Sequence, residues 1–461
     1  MLEKLNQRHW LFSRVQEHGD KSFLMHGGKE FSYKDLIIEI ERISTEIEKV
    51  GIAAGQSVAL ISDFSFQSIA YLLALFGNKN LITPITVNSE SEICERVVES
   101  YADFSISLGD HLENGVSIKP VTRDREYHDL INAIIGDEHA GLVLFSSGTT
   151  GKAKAMVHDL DQFMVQYENK RPRSLSILVF LMFDHIGGLN TLFNSLTVGA
   201  KMVVPCKRDA AEVAELIQDH KVNVLPTSPT FLNLMLIEEA PNKYDLSSLK
   251  IITYGTEPMP ESLLLKLKSE FPKVKLLQTF GTSETGITQT TSKSSSSLLM
   301  KLDDPNVEFR IVEGELWLRS GTQIKGYLNH DMERFTEDGW FRTGDLVEEI
   351  ADGYIRIVGR NTDIINVGGE KVFPAEVESV LMELPEISDC LVFGQSNAIT
   401  GQAVCSRVVL AKGVDPKAMK GKIRKYCKER LDRYKIPQII KFAEQSEYGA
   451  RFKKMRDHAR T

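Results

Sequence analysis

The sequence predicts an α/β fold, with a large N-terminal domain of mixed sheets covered by helices and a small, mobile α+β C-terminal domain. Three observations predict it. Short β-rich runs alternate with helix-length segments through the first 270 residues, the pattern of a parallel or mixed sheet covered on both faces. The pattern then changes to strand-rich stretches at 308–320 and 354–366, with Asp338-Gly339 and Asp352-Gly353 as hairpin-type turns. The last hundred residues read as a small α+β unit. At 461 residues the chain exceeds one ordinary core, and the main boundary is placed near Arg360 to Asp363, giving domains 1–361 and 362–461.

The elements follow in order. Residues 31–50 read as a capped helix, Ser32 leading an apolar face at helical spacing. Residues 58–62 form an expected strand, 66–76 a helix and 81–85 a second strand. Further strands are expected at 176–182, 201–204, 222–225 and 250–254, separated by helices such as 210–220 and 262–270. Residues 290–304, with four consecutive serines from Ser294 to Ser297, read as a mobile surface loop. No internal repeat is visible.

Composition narrows the function. Hydrophobic residues at 42% and charged residues at 26% are those of a soluble globular protein, and the net charge of −8 disfavours a nucleic-acid partner. The five cysteines (Cys94, Cys206, Cys390, Cys405, Cys427) are scattered, without C-x-x-C spacing, so neither a disulfide frame nor a zinc site is expected. The first eight residues lack the apolar core of a signal peptide, and the apolar run 69–76 is too short to span a bilayer, so a cytoplasmic location is expected.

One stretch points to chemistry. An apolar run, Leu142 to Phe145, leads into Ser146-Ser147-Gly148-Thr149-Thr150-Gly151-Lys152-Ala153-Lys154. Gly148 and Gly151 permit φ > 0 and let backbone N–H groups approach an anion. The hydroxyls of Ser146, Ser147, Thr149 and Thr150 add donors, and Lys152 or Lys154 adds a movable cation. Such a loop suits polyphosphate. The P-loop of nucleotide hydrolases does not fit, because Ser146 stands at its first glycine and Ala153 follows Lys152 where Ser or Thr is required. A solvated glycine-rich turn is the plain alternative.

Five further stretches stand in one order: Phe183-Asp184-His185-Ile186-Gly187-Gly188; Tyr254-Gly255-Thr256-Glu257-Pro258; Thr279-Phe280-Gly281-Thr282-Ser283-Glu284; Trp340-Phe341-Arg342-Thr343-Gly344-Asp345; and Gly359-Arg360 continuing to Gly368-Gly369-Glu370-Lys371 and Glu376-Val377-Glu378. With the opening loop they resemble the adenylate-forming superfamily of acyl-CoA synthetases, luciferases and the adenylation domains of peptide synthetases, over nearly the whole chain. The resemblance implies an adenylate-forming fold, use of ATP and Mg²⁺, and two steps. A carboxylate attacks the α-phosphorus of ATP to give an acyl-adenylate and pyrophosphate, and a thiol then takes the acyl group.

The roles carried over are specific. Glu284 resembles the Mg²⁺ ligand, with Thr150 sharing the metal. Phe280 would stack on adenine, with Thr279, Gly281 and Thr282 around it and Gly255, Thr256 and Glu257 beneath the base; taken alone, Phe280 is plain core. Asp345 would accept both ribose hydroxyls, and Arg360 would add a charged donor; an exposed hinge salt bridge is the other reading of Arg360. His185 resembles the gate between the acid pocket and the thiol tunnel, with Ile186 and Gly255 in that pocket. Gly368, Gly369 and Glu370 resemble the loop lining the pantetheine tunnel.

The C-terminal lysine of the family lies in a Gly-Lys-x-x-Arg context. Here residues 448–456 read Tyr-Gly-Ala-Arg-Phe-Lys-Lys-Met-Arg, and the glycine is missing. Counting from Pro437 assigns Lys453, with Arg456 trailing; Arg451 and Lys454 are the neighbouring alternatives, and a solvated basic tail is the bland one. Ala153 and Ala155 replace the usual proline and glycine of the loop. Thr362, with Asp363 beside it, stands at the expected hinge. Ile186 occupies the place where amino-acid-activating relatives carry aspartate, which favours a fatty or aromatic acid, although Asp184 lies close by. CoA is the expected acceptor. A phosphopantetheine arm on a separate acyl carrier protein is the alternative, since no fused carrier domain is expected before Thr461. A degenerate relative that binds nucleotide without turnover is the reading from another class.

Overall fold

The computed structural model describes residues 9–109, 115–146, 152–449 and 451–456. Two seven-stranded sheets form the bulk of the chain. The first runs in the order Lys275–Gln278, Ile251–Tyr254, Val224–Thr227, Ser176–Leu178, Lys201–Val204, Ser22–His26, Lys29–Ser32, parallel up to its final hairpin. The second runs Gly326–Tyr327, Lys154–Asp159, Gly141–Ser146, Leu81–Ile85, Ser57–Ile61, Phe104–Leu108, Val116–Pro120, with a parallel centre and antiparallel edges. Strands such as Ser57–Ile61 and Leu81–Ile85 are mostly apolar and buried along almost their whole length, as central strands covered on both faces are.

Helix Tyr33–Val50 starts at Ser32, whose hydroxyl accepts from Asp35 N while the Asp35 carboxylate accepts from Ser32 N. It buries Leu36, Ile37, Ile40, Ile43 and Ile47, a stripe at helical spacing, and ends on Gly51 at φ 87°. Helix Phe66–Gly77 is buried almost all round, as its composition requires. The expected strands at 201–204 and 81–85 and the helix at 210–220 coincide with those observed. The expected strand 176–182 stops at Leu178.

A third, six-stranded sheet is antiparallel, in the order Thr290–Ser292, Leu299–Leu302, Tyr354–Arg360, Phe341–Ile350, Glu315–Ser320, Val307–Val312. Asp352 (φ 66°) and Gly353 (φ 73°) make the left-handed pair that joins its two longest strands. The reading of 290–304 as a loop is corrected here: Thr290–Ser292 and Leu299–Leu302 form an edge hairpin. Met300 is fully buried, and the Ser292 and Ser295 hydroxyls accept from Gln278 N and Leu276 N of the first sheet. The serines therefore close a sheet edge, which composition alone cannot show.

The chain leaves this sheet through the turn Asn361–Asp363 and enters a five-stranded sheet of Glu370–Val372, Ile365–Val367, Gly401–Leu410, Ile387–Asn397 and Ile439–Ala443, flanked by helices Pro374–Leu381 and Pro416–Lys428. Its apolar side chains join those of the first sheet's helices in one cluster. Three hydrogen bonds cross the same seam, from Asn233 to Ser388 O, from Lys266 to Met382 O and from Ser262 N to Ser379.

Inside this unit the fully enclosed carboxylate of Glu378 carries much of the load. It accepts from Val392 N at 2.9 Å and is met by Lys454 at 3.4 Å and by the Arg456 guanidinium. Burial works against its charge, but Arg456 and Lys454 outweigh burial and hold the carboxyl below its usual range. Removing one partner of such a cluster strands buried charge. Glu378→Ala should therefore destabilise the C-terminal unit by about 3–5 kcal/mol, measured as an earlier urea-unfolding transition; an unchanged midpoint would contradict the assignment.

Candidate active site

Parallel strands deliver their C-terminal ends to a common crevice, where open α/β sheets bind ligands. Here the ends of Val224–Thr227 and Ile251–Tyr254 open into a cavity of about 540 Å³. Its floor is Thr227, Gly255, Thr256 and Thr279; one wall is the start of helix Ile186–Val198, another the Phe280–Thr282 strand and Glu284. Ser146 and Lys154 enter from the second sheet, Phe341 to Gly344 and Arg360 from the third, and Arg451 and Lys453 from the tail.

Two glycines are required by contact. A Cβ at Gly255 would lie 2.6 Å from Thr279 Oγ1, and one at Gly281 would lie 2.6 Å from Gly286 O and 2.8 Å from Ile287 Cα. Thr256 sits at φ 73°, a left-handed conformation that a β-branched residue adopts only when its surroundings impose it, and its buried Oγ1 has no partner among the described residues. Phe280 belongs to both readings. It lines the cavity and packs with Met300, Leu316, Leu318, Val347 and Ile355.

The Glu284 carboxylate accepts the Tyr327 hydroxyl at 3.1 Å. Burial, reinforced by that carboxylate, pushes the Tyr327 phenol far above its ordinary range, so it stays a donor. Tyr327 also carries Lys154, whose Nζ lies 5.6 Å from the ring centroid. Neither contact was expected from the sequence, since Tyr327 lies outside every motif.

His185 caps helix Ile186–Val198, its Nδ1 accepting from Gly187 N at 3.0 Å. Burial first, then the nearby Lys453 and Arg451 cations, push its pKa well below the ordinary value, so the ring is neutral. Ile186 is buried beside it on the wall. Asp184 faces elsewhere, its Oδ2 meeting Arg96 at 3.1 Å and Arg451 at 3.3 Å.

Some expected residues stand off the cavity. Glu257 is turned to the start of helix Pro229–Ile237, where Oε1 accepts from Thr230 N at 2.8 Å and Oε2 from Lys454 N at 3.2 Å. Asp345 is buried behind Arg360, whose Nε donates to it at 3.1 Å, so Arg360 is the member of the pair on the wall. Thr362 lines the outer rim within the turn Asn361–Asp363. Gly368 (φ 63°) and Gly369 (φ 94°) make an exposed hairpin turn before Glu370 and do not line the cavity. Ser147, Gly148, Thr149, Thr150 and Gly151 lie outside the described residues.

Of the three basic candidates, Arg451 and Lys453 line the cavity and Lys454 does not. Lys454 Nζ is held by Glu378, Asp389 and Cys390 O, and Arg456 by Glu378, Val392 O and Asp363. Lys453 reaches the cavity, with no ion-pair partner among the described residues. Burial, then the Arg360 and Arg451 cations, lower its pKa to about 8. The missing glycine is explained too. Phe452, in its place, takes φ 49°, a left-handed turn costing a side chain about 1–2 kcal/mol. Its ring centroid lies 5.0 Å from Phe180, 5.3 Å from Phe231 and 5.1 Å from Tyr448, burial that offsets the strain.

Comparison with known proteins agrees with this geometry. The family described as AMP-binding enzyme matches residues 11–328, and its C-terminal domain matches residues 376–452. A 2-succinylbenzoate–CoA ligase of Bacillus licheniformis is 25% identical, over 98% of this chain and 99% of the relative. A 4-coumarate–CoA ligase-like protein of Arabidopsis thaliana is 26% identical over 87% of this chain and 81% of the relative. Among solved structures, an anthranilate CoA ligase in complex with anthranoyl-AMP superposes with a TM-score of 0.81 at 19% identity, covering 96% of this chain and 95% of that one.

A nuclear magnetic resonance titration of isotope-labelled lysine side chains should reveal one amine with a midpoint about 8. That resonance should vanish in Lys453→Arg and move upward in Arg360→Gln, because a neighbouring cation has been removed.

Proposed function

Since the chain belongs to the family of AMP-binding enzymes, we propose that it activates an aromatic carboxylic acid with ATP and passes the acyl group to the thiol of CoA. It is an AMP-forming acid–thiol ligase, and the observation that carries the residue assignments is that Lys453 and Glu284 line one cavity.

In the first step a carboxylate oxygen bonds to the α-phosphorus as the bond to the pyrophosphate oxygen breaks. Negative charge grows on the phosphoryl oxygens, and a cation already desolvated at Lys453 stabilises it without reorganising water. Arg360 and Lys154 add charge along the same path, and Asp345, off the cavity, orients Arg360 from behind. The close contacts at Gly255 and Gly281 keep the crevice flat enough for a purine beside Phe280. The residues fit a magnesium ion: Glu284 offers a hard carboxylate oxygen, oriented by Tyr327, and would hold the metal that neutralises the triphosphate. In the second step the thiol sulfur attacks the acyl carbon and AMP leaves.

Neutral surroundings support an aromatic acid. Leu181, Ile186, Gly187, Pro226 and Thr227 line part of the cavity without a charge, and Asp184 is already engaged by two arginines, so it is not offered to an α-ammonium group. The named activities of relatives point the same way, toward 2-succinylbenzoate, 4-coumarate and indoleacetate. The Gly368-Gly369-Glu370 turn serves the pantetheine arm after the domain turns about Thr362.

Pyrophosphate release, measured with Mg-ATP against aromatic, fatty and amino acids, should appear with aromatic acids, and CoA should convert the adenylate to a thioester. Release without thioester would instead indicate a carrier-protein acceptor. Lys453→Ala should lower adenylate formation at least 100-fold, in line with loss of a charge-stabilising donor. Because the cation is the working form, kcat/KM for Mg-ATP should fall as pH rises through about 8. Lys453→Arg, charged throughout, should flatten that limb.

A further inference from the structure

The segment 448–456 departs from the family pattern at Phe452, which stands in place of the glycine, and both Phe452 and its neighbour Arg451 make contacts on the N-terminal domain. Arg451 reaches Asp184 Oδ2 at 3.3 Å and Phe145 O at 3.4 Å. Asp184 is 2% exposed, and its second oxygen has no partner among the described residues, so the carboxylate is committed to Arg96 and Arg451. Those contacts sit beside His185 on one side and at the foot of the Ser146 loop on the other. Phe452 packs its ring against the contacting pair Phe180 and Phe231, and its carbonyl accepts the Ser228 hydroxyl at 2.8 Å. Lys453 lies between these fixed points and the Glu257 contact to Lys454 N.

We propose that Arg451 and Phe452 form a two-point anchor that positions Lys453 for adenylate formation and must let go before the thiol step. The proposal rests on the two-step reaction above. A flexible lysine on a free tail would sample many positions, whereas the anchor fixes the backbone just before Lys453 and the Glu257 contact to Lys454 N fixes it just after. Arg451 contributes charge as well as grip. It holds the tail through a buried carboxylate while adding positive potential at the same wall, where the triphosphate would meet both cations. The left-handed Phe452 is the geometric hinge of this anchor, since it turns the chain so that residue 451 points to Asp184 and residue 453 to the cavity. Arg451 and Phe452 are thus positioning residues, acting through Lys453. Their grip favours one of the two half-reactions.

Two measurements on the full-length protein test this. Hydrogen exchange of the peptide spanning 448–456 needs no substrate. It should be slow in the wild type and at least tenfold faster in Arg451→Gln and in Phe452→Ala, while Phe452→Leu should recover part of the protection. The half-reactions are then timed separately. Arg451→Gln should slow adenylate formation on the order of 10- to 100-fold with little change in KM for the acid, whereas transfer from preformed acyl-adenylate to CoA should be as fast or faster. Equal loss in both half-reactions, or unchanged tail exchange, would overturn the anchor. A wild type inactive with every acid would overturn the proposed function instead, with the exchange data still deciding the anchor.

Discussion

Placing Lys453 is the constraint on which the catalytic end of this molecule depends. An ammonium group held out of water beside Arg360 and Arg451 is disfavoured by burial and by like charge, and its lowered pKa measures that disfavour. Other interactions must therefore hold it there. The buried Glu378 takes the charges of Lys454 and Arg456, so of the tail's basic side chains Arg451 and Lys453 are the ones that line the cavity. When an anionic ligand enters, the same arrangement turns favourable, because the cations are already oriented and desolvated.

The motifs divide between contact and support. Glu257 belongs to a stretch that resembles a base-binding segment, yet its two oxygens tie the start of helix Pro229–Ile237 to the backbone of Lys454. One carboxylate thus joins the floor of the cavity to the tail that closes it. Asp345 and Arg360 behave similarly: burial raises the Asp345 pKa while Arg360 opposes that rise. Of this pair, Arg360 lines the cavity while Asp345 supports it from behind. Thr256 pays in backbone strain for presenting its N–H and side chain where the sheet ends.

Much of the fold was legible because periodicity and turn chemistry are local. Ser32 with Asp35, the apolar strand 81–85 and the Asp352-Gly353 turn each announce themselves within a few residues. The serine-rich hairpin was not legible, because Ser292 and Ser295 act on strand Lys275–Gln278 through hydrogen bonds that no spacing encodes. At the site, motif residues such as Phe280, Glu284 and Arg360 line the cavity and others such as Glu257 stand off it, while Tyr327 was missed, standing outside every motif. Counting from Pro437 pointed to Lys453 with Lys454 as a neighbouring alternative, and the contacts of Lys454 with Glu378 and Asp389 are long-range features that no spacing encodes.

The phenylalanine at 452 shows how a broken motif can keep its geometry. A glycine would turn left-handed without strain, but it would leave the backbone free to take other paths. Phe452 accepts the strained conformation because the ring is repaid by Phe180, Phe231 and Tyr448 on docking, so the turn and the docked position become one event. The stabilisation is then specific to the pose in which Lys453 faces the cavity. A glycine would give a tail indifferent to pose; phenylalanine gives one that prefers the adenylate-forming arrangement, and the reaction must work against that preference to reach the thiol.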